Sequence, residues 1–377
     1  MINVEDLFGQ LRRRPDVEAA NLFAVDAADR LILDLAADDV DAAAPGALAV
    51  IGDSYGALTL GAAARFGSTG IRVHQDFVTG EQALVANAAD AELTGAFRHC
   101  GLNEDLLSGA TVVLMRLPRS LAELAETADA IARFASPEVK VFAGGRDKHL
   151  TPAMNEVLGR SFEVVQPSRG RQKSRVVVAA TPRPVGEPEF PVSAREADID
   201  MEIVAHGAVF AGTKLDLGTR FLLDFLPKMK RYAETAVDLG CGTGVLAVQL
   251  ARQRPTLRVV GVDASAAAVA STLATAERNG VADRVTAVRD DAMSSLADGS
   301  VDLIVCNPPF HVGAAVHTGP ALGMFRAAGR VLRPGGELWT VFNSHLNYRG
   351  VLEQSVGQTD IIGRNPKFTV TRSRRDR

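Results

Sequence analysis

Seven residues, Asp238-Leu-Gly240-Cys-Gly242-Thr-Gly244, constrain the fold of this chain more than any other segment. They follow an apolar run, Thr235–Leu239, that reads as a strand, and they open Gly244–Arg254, which reads as a helix. The glycines let the backbone take positive φ and let its amides approach a ligand closely. The helix start that follows is electropositive. A strand, a glycine turn and a helix in that order predict an open parallel sheet with crossover helices. The alternation continues downstream. Arg258–Val262, Arg284–Val288, Leu303–Cys306 and Glu337–Phe342 read as strands, and Ala266–Asn279 and Gly319–Leu332 as helices.

Asp263 ends the second strand, about twenty residues past the glycines, where a carboxylate can accept both hydroxyls of a ribose. Asp291, after the third strand, can take an adenine amino group or simply sit in a solvated turn. The loop alone leaves two cofactors open, because Gly242-Thr-Gly244-Val-Leu-Ala247 also satisfies the loose G-x-G-x-x-A form of a nicotinamide dinucleotide site. Asp238 ahead of the glycines can hold a cationic ligand or the loop itself. S-adenosylmethionine, with its cationic amino and sulfonium groups, suits an acidic cradle, and the end of the fourth strand favours it.

That strand closes on Asn307-Pro308-Pro309-Phe310, at the C-terminal edge where open α/β sheets bind ligands. An exocyclic amine is a poor nucleophile because its lone pair is delocalised into the ring. The Asn307 side-chain oxygen and the Pro308 carbonyl can each accept one N–H and direct the lone pair at an incoming methyl group. Prolines stiffen the loop and preset both acceptors. Phe310 offers a face for a flipped base, and the neighbouring His311 either touches substrate or is structural. A dehydrogenase gives no reason for this segment. Neither a strong general base nor a metal is needed.

The first half repeats the plan. Leu48–Gly52 resembles Ala236–Gly240, Asp76 stands after a second strand as Asp263 does, and Val112–Pro118 stands where Leu303–Pro309 stands later. This reads as an internal duplication. The proline-rich run between the halves, residues 181–191, reads as a linker. The expected domains are therefore residues 1–180 and 192–377, which also suits a length of 377 residues.

A net charge of −4 confines any RNA site to a local basic patch. Arg169-Gly-Arg171-Gln-Lys173-Ser-Arg175 is the favoured one. Arg12-Arg13-Arg14 and Arg372–Arg377 are further runs, each a phosphate site or a solvated face. The three cysteines, Cys100, Cys241 and Cys306, are far apart and fit a reducing cytoplasm rather than a zinc site. No apolar stretch is long enough for a membrane helix, and the N-terminus does not read as a secretory signal.

The chain resembles the class I methyltransferases with an Asn-Pro-Pro-Phe motif, and most of all the ribosomal RNA large subunit guanine-N2 methyltransferase (methyltransferase G) family. Asp26–Leu33, Gly52–Leu58, Val209-Phe210, Leu215–Gly218, Cys306–His311, Asn343–Tyr348 and Asn365–Phe368 carry the resemblance over nearly the whole length. It implies two tandem Rossmann-like class I methyltransferase domains in an α/β fold, the N-terminal one degenerate. It implies S-adenosylmethionine as cofactor and ribosomal RNA, free or in a ribosomal particle, as partner. Asp216 and Gly218 fall in the family stretch that packs over the cofactor. The first half keeps only Gly52 and Gly56 of the loop and has Arg116-Leu117-Pro118 in place of Asn-Pro-Pro, so it is expected to be a scaffold or RNA platform. Alternatives are a 16S rRNA guanine-N2 enzyme, methylation of a release-factor glutamine or an adenine N6, and an assembly factor with a vestigial cofactor site.

Overall fold

The computed structural model describes residues 3–309 and 319–376. The chain divides into two compact units, Met1–Phe190 and Pro191–Arg377. The first holds β1 (Leu48–Ile51), β2 (Ile71–His74), β3 (Phe97–His99), β4 (Val112–Arg116), β5 (Lys140–Arg146), β6 (Phe162–Pro167) and β7 (Ser174–Pro182) in one sheet. Their spatial order is β3-β2-β1-β4-β5-β7-β6. The second opens with an antiparallel pair, β8 (Val192–Glu196) and β9 (Met201–Ala205). Its main sheet holds β10 (Thr235–Leu239), β11 (Arg258–Asp263), β12 (Val285–Arg289), β13 (Val301–Cys306), β14 (Leu332–Asn343), β15 (Thr359–Arg364) and β16 (Phe368–Arg374). The order there is β12-β11-β10-β13-β14-β16-β15. In each sheet six strands run in one direction and one, β7 or β16, runs against them, inserted between its two neighbours.

Helices on both faces explain the apolar central strands. Leu246, Ala247 and Leu250 of helix Val245–Gln253 pack with Val259, Leu303 and Trp339 on one face, while Phe325 and Ala328 of helix Gly319–Val331 pack with Val237, Ile304 and Leu338 on the other. A strand buried on both sides reads as a continuous hydrophobic run, and β13 is buried at every position. Its one acid, Asp302, is offset by Arg333 at 3.1 Å and by the Glu234 and Thr235 amides at 3.0 and 3.2 Å.

Strand register sets the two units in correspondence. Ile51 faces His74 on one side and Met115 on the other; Leu239 faces Val262 and Cys306. Gly52 therefore corresponds to Gly240 and Arg116 to Asn307. Each glycine donates its amide to the same carbonyl in register, His74 at 3.0 Å and Val262 at 2.8 Å. The counterpart of Asp263 is then Gln75, one residue before the acid picked out from sequence.

Two further differences have physical reasons. β7 continues to Pro182, inside the stretch expected to be linker. β5 begins at Lys140, opposite Ala180, so Pro182 is flanked by β6 alone and its missing N–H leaves no ladder bond unmade. β15 and β16 were not anticipated, because β16 presents Thr371 and Ser373, both fully buried, where a hydropathy pattern looks for apolar side chains.

Candidate active site

The glycine loop lies at the C-terminal edge of β10. Gly240, Gly242 and Gly244 all take positive φ, at 77°, 54° and 78°. Gly244 is also forced by packing: a Cβ there would lie 2.8 Å from Thr272 Cγ2 and 3.0 Å from its Cα, on helix Ala266–Arg278. A Cβ built at Gly242 would meet nothing within 4 Å, so this side of the loop is open.

The acids around the loop take different roles. Asp238 is 1 % exposed, and its Oδ2 accepts the Ala247 amide at 3.0 Å. Burial pushes its carboxyl up to about 8. Of the two roles open from sequence, the structure shows the second: Asp238 lies under the loop and fastens it to the helix start. Asp263 braces the loop from the side, with Oδ2 accepting the Gly242 amide and Oδ1 the Ser265 amide, both at 3.0 Å. Asp290 is turned inward onto Ser294 and Ser295, whereas Asp291 is exposed beside the same edge.

Asn307 directly follows β13 next to the loop; its carbonyl oxygen is 4.0 Å from the Cβ position of Gly240. Its side-chain nitrogen donates to Asp216 Oδ2 at 2.9 Å and to Thr219 Oγ1 at 3.0 Å. Asp216 is the N-cap of helix Leu217–Leu223 and also accepts the Thr219 amide at 2.9 Å. A carboxylate accepts only, so the amide must turn its NH2 toward Asp216. The Asn307 Oδ1 is thereby left buried and without a partner among the described residues. An orphaned buried acceptor costs about 1–3 kcal/mol, and most buried polar groups in folded proteins are paired. Gly218 completes the arrangement, since a Cβ there would lie 3.0 Å from Asp216 Oδ2 and 3.3 Å from Asn307 Oδ1.

The structure therefore brings Asn307, Asp216, Gly218, the glycine loop and Asp263 to one sheet edge. Pro308 is buried and Pro309 exposed. Phe310 and His311 lie outside the described residues. Asp216 and Gly218, expected at the cofactor, are engaged with Asn307. Thr219 was missed; its signal is the Asp216-Leu-Gly-Thr219 spacing, a helix-capping pattern. Leu215 is buried but Leu217 is exposed, so only the former is core. Cys241 and Cys306 are buried fillers.

Arg169, Arg171 and Lys173 lie between β6 and β7, and Arg175 within β7, in the first unit. Arg171 pairs with Asp34 and Arg175 with Asp147 at 3.5 Å; Arg169 and Lys173 are exposed. The other two basic runs are spent on structure: Arg13 on Asp16, Arg14 on Asp90, Arg372 on Asp360 and Arg374 on Glu337.

In the first unit the same corner is closed. Arg116 stands where Asn307 stands and donates to Asp26 and Asp29, each at 2.7 Å. Asp26 is the N-cap of helix Ala27–Leu35, as Asp216 is of its own helix. Burial works against ionisation of Asp26, but Arg116 prevails and holds that carboxyl at about 2. Buried Asp29 is pushed up to about 7 despite the same arginine. In the position of the Asn307 oxygen this corner presents a guanidinium, which only donates. Among the described residues no cluster is placed to hold a metal, and no helix is long and apolar enough to cross a membrane.

The chain matches the Methyltransferase small domain over residues 200–372 and the RLMG N-terminal domain over residues 2–183. A protein of Pseudomonas paraeruginosa named Ribosomal RNA large subunit methyltransferase G is 33% identical over 367 residues, covering 96% of each chain. One of the same name from Streptomyces coelicolor is 31% identical, covering 96% of this chain and 97% of its own. Among solved structures, a T. thermophilus 16S rRNA guanine-N2 methyltransferase in complex with AdoMet and guanosine aligns with a TM-score of 0.73 at 22% identity, over 98% of this chain and 99% of its own.

Proposed function

The chain belongs to the ribosomal RNA large subunit methyltransferase G family, and on that premise we propose that its second unit methylates the exocyclic N2 of a guanine in large-subunit ribosomal RNA. The observation that carries the amino-group chemistry is Asn307, whose nitrogen is fixed by Asp216 and Thr219 while its buried oxygen has no partner among the described residues. An amine N–H is the donor that this oxygen lacks.

The residues around the loop fit S-adenosylmethionine. Gly242 presents open backbone, Asp263 stands beside it for the ribose, Asp291 is exposed at the same edge for the adenine, and the sheet edge leads directly to Asn307. The cofactor supplies an electrophilic methyl on a sulfonium. Asn307 Oδ1 accepts one N–H of the guanine amine and the Pro308 carbonyl the other, which withdraws the lone pair from the ring and points it along the transfer axis. Because these acceptors are preset, little reorganisation is needed as positive charge develops on nitrogen. With S-adenosylmethionine bound, the amine held by Asn307 and Pro308 would receive its methyl group, and the proton that the nitrogen then sheds would pass to water. Phe310 is proposed to stack on the base and His311 to touch the substrate.

The first unit, with Arg116 in the acceptor's place, is proposed to be an RNA platform. The contrast also weighs against a vestigial second unit: where this fold has lost its chemistry, the acceptor is gone. Three cysteines, all free and buried, suit a reducing compartment, and we place the protein in the cytoplasm.

Asn307→Ala tests the chemistry. Cofactor affinity by calorimetry should hold, while single-turnover transfer at saturating RNA should slow by at least about a hundredfold, comparable to deleting one preorganised oxyanion donor. Transfer at the normal rate would end the amine-acceptor mechanism. Mass spectrometry of the methylated RNA, comparing free 23S and 16S rRNA and assembled subunits, identifies the nucleotide and the form of the substrate.

A further inference from the structure

The closed corner of the first unit opens onto a cleft of about 290 Å³ at the C-terminal edge of its sheet. Among its lining residues are Asp26, Arg116, Arg119, Arg146, Lys148 and His149. Four cations thus face one carboxylate, on a chain whose net charge is −4. Arg116 is committed to Asp26 and Asp29, and Arg146 is 3.8 Å from Asp26. Arg119 and Lys148 are exposed and make no hydrogen bond or ion pair with any described residue. Four cations around a concavity lined by one carboxylate leave an excess of positive charge that suits an anion.

We propose that this cleft binds a backbone phosphate of the RNA substrate, with Arg119 and Lys148 as its principal ligands and Arg146 in support. The proposal rests on the reading that ribosomal RNA is the substrate. Three observations favour a polyanion over a small free anion. The cationic side chains are at the open rim. The cleft lies at the sheet edge that, in the second unit, carries Asn307, so the old substrate entrance is retained with its chemistry replaced by charge. The 168–173 turn is tied to the cleft by the Asp147 amide donating to the Lys173 carbonyl at 2.9 Å and by the Arg175–Asp147 pair, which carries exposed Arg169 and Lys173 alongside. Together these make one cationic strip suited to successive phosphates. The imidazole of His149 is held below its usual range by burial and by Arg119, Lys148 and Arg146, so it reports on any anion that enters.

The full-length double variant Arg119→Gln/Lys148→Gln tests this. The KM for ribosomal RNA should rise roughly tenfold, and the slope of log KM against log salt should fall by roughly 0.7–0.9 for the one lost phosphate contact. Turnover at saturating RNA and affinity for S-adenosylmethionine should not change. Lys140→Gln, a cation of the same unit outside the basic runs and paired with Asp39, should leave KM where it is. An unchanged KM and salt slope in an active double variant would overturn the proposal. So would a His149 NMR pKa that rises with inorganic phosphate but not with an rRNA fragment, which would mark a small-anion site. A wild-type protein that methylates no ribosomal RNA would instead overturn the substrate reading, and the His149 titration with an rRNA fragment would still read the cleft.

Discussion

Asp216→Asn isolates the idea that a carboxylate orients the Asn307 amide. In the wild type, one orientation gives Asp216 an N–H at 2.9 Å, while the reverse would set a carbonyl oxygen against a carboxylate oxygen. A hydrogen bond to a charged group contributes about 1.5–3 kcal/mol, which holds the productive orientation by roughly ten- to hundredfold. Thr219 Oγ1, the other partner, is a hydroxyl that can donate or accept, so it imposes no preference of its own. Asparagine at position 216 keeps the N-cap to the Thr219 amide, since Asn and Asp cap about equally well, and stability should change by less than about 0.5 kcal/mol. The amide pair can then reverse. Single-turnover methyl transfer at saturating substrates should slow by several-fold, with roughly a hundredfold as the ceiling set by the lost charge-assisted bond. The deciding measurement is a double-mutant cycle. On an Asn307→Ala background, Asp216→Asn should have almost no further effect, because nothing is left to orient. If it slows both backgrounds equally, Asp216 does not act through Asn307 and the reasoning fails.

Other perturbations should separate cofactor, geometry and stability. Asp263→Ala removes the brace on Gly242 and the proposed ribose acceptor, so S-adenosylmethionine affinity by calorimetry should fall about ten- to hundredfold; unchanged affinity in a folded variant would refute the ribose role. Gly218→Ala sets a methyl 3.0 Å from Asp216 Oδ2 and 3.3 Å from Asn307 Oδ1, so kcat should drop while cofactor affinity holds, and a normal kcat would show that the amide has room to move. Asp29 at about 7, Glu123 at about 7 and Asp238 at about 8 are each raised mainly by burial. These groups bind a proton more tightly folded than unfolded, so their contribution is fully present below about pH 4 and is lost as pH climbs to about 8. Asp238→Asn, which keeps an acceptor for the Ala247 amide, should therefore gain stability relative to wild type between pH 5 and pH 8.5 in denaturant titrations; a pH-independent difference would show that Asp238 is ionised throughout.

Much of the second unit was legible because its central strands are covered on both faces. Apolar runs, glycine turns and helical stretches there leave a strong periodic signal, and the chain order of loop, Asp263 and Asn307 puts all three at one edge by topology alone. The antiparallel end of the sheet was not legible. β16 buries Thr371 and Ser373, and Thr359 Oγ1 meets Ser373 Oγ at 2.8 Å, so the strand is polar where it is central. Position within the fold also escaped the motif. Asp238 and Asp263 look alike beside a glycine loop, yet one points under it and the other along its flank. The shift from Asp76 to Gln75 is a single residue of register, which no spacing in the first half reveals.

The comparison of the two units shows how one corner comes to present an acceptor and the other a donor. Both place an aspartate N-cap against the residue at the end of the fourth strand, Asp216 against Asn307 and Asp26 against Arg116. With asparagine, the carboxylate takes the amide's donor and forces its acceptor into the site unpaired. With arginine, which has donors only, the same carboxylate is engaged in an ion pair, a second acid at Asp29 is recruited, and the residue in the asparagine's place offers no acceptor. The scaffold is unchanged, but the polarity of the corner inverts from acceptor to donor, and with it the ligand it suits, from an amine to a phosphate. One substitution in the second unit probes that inversion directly. Asn307→Arg should abolish methyl transfer more completely than Asn307→Ala, because it removes the acceptor and sets a cation where the amine must gain positive charge. It should leave cofactor affinity within a few-fold, since Asp216 remains to neutralise the guanidinium. Measurable transfer by Asn307→Arg exceeding that of Asn307→Ala would show that acceptor polarity at this corner is not what the reaction depends on.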